Sequence, residues 1–289
     1  MTEHAASSPV APVLQEATQT LTTAGCDTPR LDAEVLLAYV LSCERAWLYA
    51  HPEHWLSPSQ LSAYQFLISR RARREPVAYL IGRKEFFGLD FVVTHDVLIP
   101  RPETERLVEF ALQCAPTLPS LQLIADVGTG SGAIAVALAV HLPRAHVIAL
   151  DTSASALAVA RRNAARHGVA RRVCCIQADL LAPLAGPLAL IVANPPYLSQ
   201  AELESAPPEV ADWEPRAALN GGPDGLAIIR HLLTMAADHL HPGGVLLMEI
   251  GAAQGAETLR LARRHFPQAA VEIVPDYAGH DRLLVVRHG

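Results

Sequence analysis

The chain beyond residue 121 alternates short apolar runs with amphipathic stretches, and this alternation constrains the fold more than any other feature. Strand-like runs are predicted at residues 123–127, 146–150, 173–177, 188–193, 245–250, 271–274 and 283–287. Helical runs are predicted between most of them, at residues 133–142, 155–167, 225–240 and 254–265. Apolar strands that alternate with helices predict an α/β fold with a mostly parallel, doubly wound sheet. Only a short segment joins the last two strands, so we expect them to pair antiparallel as a hairpin.

The first part of the chain has a helical periodicity instead. Apolar residues recur at threes and fours in residues 10–24 and 31–41, which is typical of amphipathic helices. Thr28 and Ser57 are each followed by a proline, and this pair of residues predicts the start of a helix. Strand-like residues at 86–93 and 97–99, with residues 94–96 between them, predict a hairpin. We therefore expect an N-terminal helical bundle at residues 1–84, a β-hairpin linker at 85–99 and a larger domain at 100–289.

Composition excludes several classes of protein. Acidic residues exceed basic ones by 29 to 23, whereas a general nucleic-acid binder usually carries a basic footprint. No apolar run approaches the roughly 20 residues that cross a bilayer. The first eight residues lack a signal-peptide pattern, so we expect a short disordered tail and a cytoplasmic protein. The 5 cysteines and 13 histidines show no metal-ligand spacing, so we predict no metal site.

A glycine-rich loop follows the first predicted strand of the larger domain. It comprises Gly128, Thr129, Gly130, Ser131 and Gly132. Glycines there let the backbone approach a ligand closely. The spacing G-x-G-x-G differs from that of dinucleotide enzymes, and it suits an adenosyl ligand without a pyrophosphate.

Two carboxylates lie at the ends of the next two predicted strands. Asp151 lies about 20 residues beyond the glycine loop, which is the position of the ribose-binding acidic residue in nucleotide-binding folds. Its carboxylate can accept hydrogen bonds from both hydroxyls of a ribose. It could instead cap the following helix. Asp179 could accept from an adenine amino group.

The fourth strand leads into Asn194, Pro195, Pro196 and Tyr197. Ligands bind beyond the carboxyl ends of such strands, so this motif is predicted beside the glycine loop. The prolines stiffen the turn and remove N–H donors, which leaves acceptors and one aromatic face. The Asn194 side-chain oxygen and the Pro195 carbonyl can hold both N–H bonds of a planar NH₂ group, while Tyr197 packs over it. This arrangement predicts methyl transfer to an amide or adenine nitrogen, with most of the acceleration from alignment.

These residues together resemble the HemK/PrmC family of release-factor glutamine methyltransferases across nearly the whole chain. The resemblance depends on residues 75–82, 98–105, 126–132, 194–197, 214–219, 221–226 and 276–282. It implies the Rossmann-like seven-stranded sheet of class I methyltransferases, S-adenosyl-L-methionine as cofactor, and the glutamine of a Gly-Gly-Gln loop in class 1 peptide chain release factors as substrate. It also implies that the N-terminal helices help to dock the release factor.

The resemblance further implies cofactor contacts from Gly128–Gly132, Asp151, Leu180 and Asn194. Some relatives have an aromatic residue where this chain has Leu180. The turn that contains Arg101 could become ordered over the cofactor and bring Arg101 into contact with it. Alternatively, this turn could only cap the helix at residues 103–114.

Three alternative functions remain open from the sequence. An adenine methyltransferase for DNA or RNA shares the Asn-Pro-Pro-Tyr motif, but it predicts basic and aromatic recognition residues. A glutamine methyltransferase for a ribosomal protein shares the chemistry, and an inactive cofactor-binding scaffold is the third. We expect a monomer without a direct nucleic-acid substrate.

Overall fold

The computed structural model describes residues 8–118 and 123–289, so the tail predicted before Ser8 lies outside the described residues. The chain divides into two compact units, Met1–Gly82 and Arg83–Gly289. Among the described residues, no helix has both the length and the apolar character that crossing a bilayer requires.

The first unit is helical. Its helices are α1 (Val10–Thr23), α2 (Pro29–Leu41), α3 (Arg45–Ala50), α4 (Pro58–Arg71) and α5 (Val77–Ile81). The start predicted at Ser57 is confirmed, because its hydroxyl accepts from the Gln60 N–H at 3.3 Å while the Gln60 side chain accepts from the Ser57 N–H at 2.8 Å. Thr28 also precedes a helix, but its hydroxyl donates to Asp32 and makes no cap to the backbone. Leu21, Leu36 and Leu37 belong to the core of this unit.

A hairpin opens the second unit, with strands β1 (Arg83–Phe86) and β2 (Leu89–Val92). Its two-residue turn is Phe87-Gly88, and both residues have positive φ angles of 53° and 72°. The Val97 N–H donates to the Thr94 carbonyl at 3.1 Å, so the chain does turn at residues 94–96. The prediction that this turn connects the strands of the hairpin is wrong, because residues 97–99 form no strand. A non-glycine residue rarely adopts positive φ, so Phe87 gave no turn signal and the run 86–93 looked like one strand.

A seven-stranded sheet forms the centre of the second unit, and the predicted α/β fold class is confirmed. Its strands are β3 (Leu123–Val127), β4 (His146–Asp151), β5 (Val173–Gln177), β6 (Leu188–Ala193), β7 (Leu240–Glu249), β8 (Ala270–Pro275) and β9 (Asp281–Arg287). The helices are α6 (Pro102–Cys114), α7 (Ala133–His141), α8 (Ala154–Arg166), α9 (Gln200–Ser205), α10 (Pro208–Ala211), α11 (Ala227–His239) and α12 (Gly255–His265). The spatial order is β5-β4-β3-β6-β7-β9-β8, and β9 runs antiparallel to both of its neighbours.

Alternate residues of the strands point to opposite faces of the sheet, and helices cover both faces. Ile124 belongs to a buried cluster with α6 and α7, whereas its neighbour Ala125 belongs to a cluster with α11 and α12. The chain leaves β3 toward β4 and β5 and later returns to place β6 on the other side of β3. The carboxyl ends of β3 and β6 therefore meet at the switch point, where open α/β sheets bind their ligands.

Candidate active site

The glycine-rich loop joins β3 to α7 and is attached to the end of β4. The N–H groups of Gly128 and Thr129 both donate to the Leu150 carbonyl, at 2.8 and 2.9 Å. Gly128, Gly130 and Gly132 all have positive φ angles, which side chains disfavour. At Gly132 a Cβ atom would also lie 3.0 Å from the Cβ and 3.1 Å from the Cα of Ala160, so this glycine permits close packing on α8.

A buried carboxylate beneath this loop holds its shape. Asp126 Oδ2 accepts from the Thr129 hydroxyl at 2.7 Å and from the Ala135 N–H at 3.1 Å. Burial raises the pKa of Asp126 to about 7. Sequence reasoning gave Asp126 no role, although its position two residues before the glycine loop was a usable signal.

Asp151 joins the loop to the turn that follows β4. One carboxylate oxygen accepts from the Gly130 N–H and the other from the Ser153 N–H, each at 2.9 Å. The helix cap considered for Asp151 is instead supplied by Ser153, whose hydroxyl accepts from the Ala156 N–H at 3.1 Å. The Asp151 carboxylate therefore remains at the ligand side of the loop, with further lone pairs available.

A cavity of about 240 Å³ opens at the carboxyl ends of β3, β4 and β6, and we call it the loop cavity. The predicted residues that line it are Gly128, Gly130, Asp151, Asp179, Leu180, Asn194 and Pro196. Leu180 has a φ of 48°, a conformation that non-glycine residues adopt mainly where the surroundings impose it. Thr129, Ser131 and Gly132 do not line this cavity: Thr129 binds Asp126, the Ser131 carbonyl accepts from Asn163, and Gly132 packs on α8.

A second cavity of about 370 Å³, which we call the motif cavity, lies on the other side of Asn194. Pro195, Tyr197 and Arg101 line it together with apolar side chains such as Leu198 and Val210. Asn194 is common to both cavities. Of the predicted amide-binding residues, Asn194 thus lies at the junction of the two cavities, Pro195 and Tyr197 line the motif cavity, and Pro196 lines the loop cavity.

Two buried side chains hold Asn194 and Tyr197, and sequence reasoning missed both. The Asn194 side-chain NH₂ donates to the Thr104 hydroxyl at 3.1 Å, and that hydroxyl donates to Glu249 Oε2 at 2.7 Å. The Tyr197 hydroxyl donates to Glu249 Oε1 at 3.3 Å. Burial raises the pKa of Tyr197, so its hydroxyl keeps the proton that it donates.

Arg101, predicted to contact the cofactor, lines the motif cavity and not the loop cavity. Its guanidinium donates to Glu214 Oε1 at 2.6 Å. Burial raises the pKa of Glu214, and the positive charge of Arg101 opposes that rise. Sequence reasoning assigned Glu214 no function, although residues 214–219 contributed to the resemblance.

The residues around the loop cavity fit an adenosyl cofactor. Gly128 and Gly130 present backbone without side chains, and Asp151 offers carboxylate oxygens to a ribose. Leu98, Ala156 and Leu180 supply apolar surface for a flat base, with Asp179 beside them as an acceptor. Asn194 also lines the cavity, and it continues into the motif cavity.

The sheet order, the glycine loop and the Asn-Pro-Pro-Tyr motif at the switch point define a protein with the Rossmann-like fold of class I methyltransferases. A crystal structure of a methyltransferase from Pyrococcus furiosus shares this fold with a TM-score of 0.54 and 20% identity, over 76% of this chain and 98% of that one. Residues 12–82 match the PrmC N-terminal domain, and residues 109–207 match the methyltransferase small domain.

Two relatives match this chain in sequence over most of their length. A release factor glutamine methyltransferase from Moorella thermoacetica is 48% identical, over 94% of this chain and 96% of the relative. Another from Geobacter sulfurreducens is 46% identical, over 83% of each chain. This chain belongs to the family of release factor glutamine methyltransferases.

Proposed function

We propose that the protein methylates the N5 amide nitrogen of the glutamine in the Gly-Gly-Gln motif of class 1 peptide chain release factors, and so supports translation termination. S-adenosyl-L-methionine is the methyl donor. The observation that carries the proposal is the position of Asn194, whose side chain lies at the junction of the loop cavity and the motif cavity. A glutamine side chain that enters the motif cavity meets Asn194 where the loop cavity begins.

The main chemical difficulty of the reaction is the poor nucleophilicity of an amide nitrogen, and the residues of the Asn-Pro-Pro-Tyr motif can overcome it. The lone pair of that nitrogen is delocalised into the carbonyl group. Asn194 Oδ1 and the Pro195 carbonyl accept hydrogen bonds from the two N–H groups of the substrate amide and favour a more pyramidal nitrogen. Tyr197 packs against the flat amide group. When bound, the cofactor supplies a methyl group on a positively charged sulfur. Alignment of the nitrogen with that methyl group provides most of the acceleration, and the proton lost afterwards is acidic enough to leave without a strong base.

We further propose that the protein acts as a cytoplasmic monomer and has no direct nucleic-acid substrate. The formal charge of −6 supports the last point, because nucleic-acid affinity depends strongly on contacts from basic residues to phosphates. The helical first unit is proposed to help dock the release factor.

The direct test is to incubate the protein with radiolabelled S-adenosyl-L-methionine and a purified class 1 release factor, and then to locate the label by peptide mapping. We expect one methyl group on the Gly-Gly-Gln glutamine, and none on a release factor with alanine in its place. Asn194→Ala should lower turnover by about 100-fold or more, the scale seen for loss of a positioned polar group in an active site. Its cofactor affinity should be mostly retained. Label on an oligonucleotide or a ribosomal protein in place of the release factor would contradict the proposal.

A further inference from the structure

The two ends of the Asn194 carboxamide differ chemically, and only one of them is useful for the proposed reaction. The oxygen accepts a hydrogen bond, whereas the NH₂ group only donates. A substrate amide nitrogen brings N–H bonds, so it needs the oxygen. Among the described residues, none donates a hydrogen bond to Asn194 Oδ1, whereas the NH₂ end has Thr104 as its partner.

The direction of the hydrogen bonds behind Asn194 is determined by Glu249. Glu249 is only 1% exposed and Thr104 only 5%, so both lie beneath the cavity surface. The Thr104 hydroxyl has a single proton and donates it to Glu249 Oε2 at 2.7 Å. What Thr104 turns toward Asn194 is therefore an oxygen lone pair, which can accept only from the NH₂ end at 3.1 Å.

We infer that Thr104 and Glu249 are positioning residues, which hold the Asn194 amide so that its oxygen faces the substrate nitrogen. This inference rests on the proposed function, because it assigns Asn194 the task of accepting from a substrate amide. Glu249 also accepts from the Tyr197 hydroxyl through its other oxygen. One buried carboxylate thus holds both the first and the last residue of the Asn-Pro-Pro-Tyr motif.

The test compares Thr104→Val, which keeps the shape but removes the hydroxyl, with Thr104→Ser, which keeps the hydroxyl. Steady-state kinetics with a release factor give kcat and KM, calorimetry gives the Kd for S-adenosyl-L-methionine, and thermal unfolding reports folding. We expect Thr104→Val to lower kcat by about 10- to 100-fold, as is typical when a residue that orients a functional ligand is lost. Its KM and cofactor Kd should stay within about twofold of wild type, because Thr104 lines neither cavity. Thr104→Ser should restore kcat to within about threefold of wild type.

A kcat for Thr104→Val within about twofold of wild type would overturn the inference. An equal loss in Thr104→Ser would also overturn it, because the hydroxyl would then not be the group that matters. If Thr104→Val does not fold, Thr104→Ala replaces it with the same expectation. Wild-type protein that methylates no release factor at all would instead refute the proposed function.

Discussion

At the scale of single residues, the site depends on a buried carboxylate that lines neither cavity. Glu249 faces Thr104 and Glu103 from α6, Tyr197 from the loop after β6, and Arg282 from β9. Burial raises the pKa of Glu249 to about 7, and the hydrogen bond from Thr104 and the charge of Arg282 only partly oppose this rise. Glu249 therefore changes protonation state near neutral pH.

This pKa predicts a pH dependence of the reaction. Above about pH 7 the ionised carboxylate can only accept, so Thr104 must donate to it and Asn194 keeps its orientation. Below that pH a protonated Glu249 can itself donate to Thr104, and the direction of the hydrogen bonds is lost. We expect kcat to fall as the pH drops from about 7 to 5.5, with a slope approaching tenfold per pH unit.

The measurement is kcat against pH at saturating cofactor and release factor, with Glu249→Gln as the matched control. The glutamine keeps the shape and an acceptor oxygen but does not titrate in this range, so its profile should lack the acidic limb. A wild-type profile that is flat between pH 5.5 and 8 would contradict the assignment.

Sequence patterns identified several of the residues that line the cavities, but not the buried residues that support them. Asn194, Tyr197 and Asp151 follow predicted strands, and strand ends meet at one edge of a parallel sheet. Thr104 and Glu249 lie 90 residues before and 55 residues after Asn194, and one sequence carries no sign that these three side chains are in contact. The ion pair of Arg101 could not be predicted for the same reason, because its partner Glu214 follows 113 residues later.

At the scale of elements, the turn between β3 and α7 depends on glycine for two different reasons. Gly130 needs its positive φ of 53°, and a Cβ atom there would meet nothing within 4 Å. Gly132 has a φ of 80° and in addition lies against the backbone of Ala160 in α8. A side chain at Gly130 would therefore cause backbone strain alone, whereas a side chain at Gly132 would cause both backbone strain and a steric clash.

We predict that Gly132→Ala is more harmful than Gly130→Ala. Each substitution costs about 1–2 kcal/mol for a left-handed residue with a side chain. Only Gly132→Ala must also displace α8, which should add about 1–3 kcal/mol of overpacking and weaken cofactor binding. Denaturant unfolding and calorimetric titration with S-adenosyl-L-methionine measure the two effects. Equal losses in the two variants would show that packing on Ala160 is unimportant.

The parallel core of the sheet could be predicted closely because its strands are apolar throughout and are separated by helices. The strands at residues 123–127, 173–177 and 188–193 have the predicted bounds. The hairpin could not be placed, since its turn depends on Phe87 in a rare backbone conformation. The short helix α9 was also missed, because its six residues are too few for a recognisable apolar period. Ser199 and Glu202 nevertheless form a capping box at its N-terminus.

At the scale of the whole molecule, each of the two units has its own buried core. The core of the first unit includes Leu37, which is fully buried in α2. The residues that line the loop cavity all belong to the second unit. Stability of the first unit and cofactor binding are therefore expected to be separable.

We predict that Leu37→Ala destabilises the first unit by about 2–5 kcal/mol, the cost of a large-to-small change in a core. Differential scanning calorimetry should show a lowered transition, while the cofactor Kd from titration calorimetry stays at the wild-type value. Gln15→Ala, on the exposed face of α1, is the control and should change neither quantity. A large loss of cofactor affinity in Leu37→Ala would contradict the independence of the two properties.

The hydrogen bonds that orient Asn194 have a consequence for how activity is acquired during folding. They join residues 90 and 145 positions apart in the chain, and contacts of such separation form late because long loops must close first. A refolding intermediate with its helices and most of its sheet in place would still lack an oriented amide. Recovery of methyl transfer should therefore lag behind recovery of helical circular dichroism, which makes enzymatic activity a stringent reporter that the second unit has reached its native state.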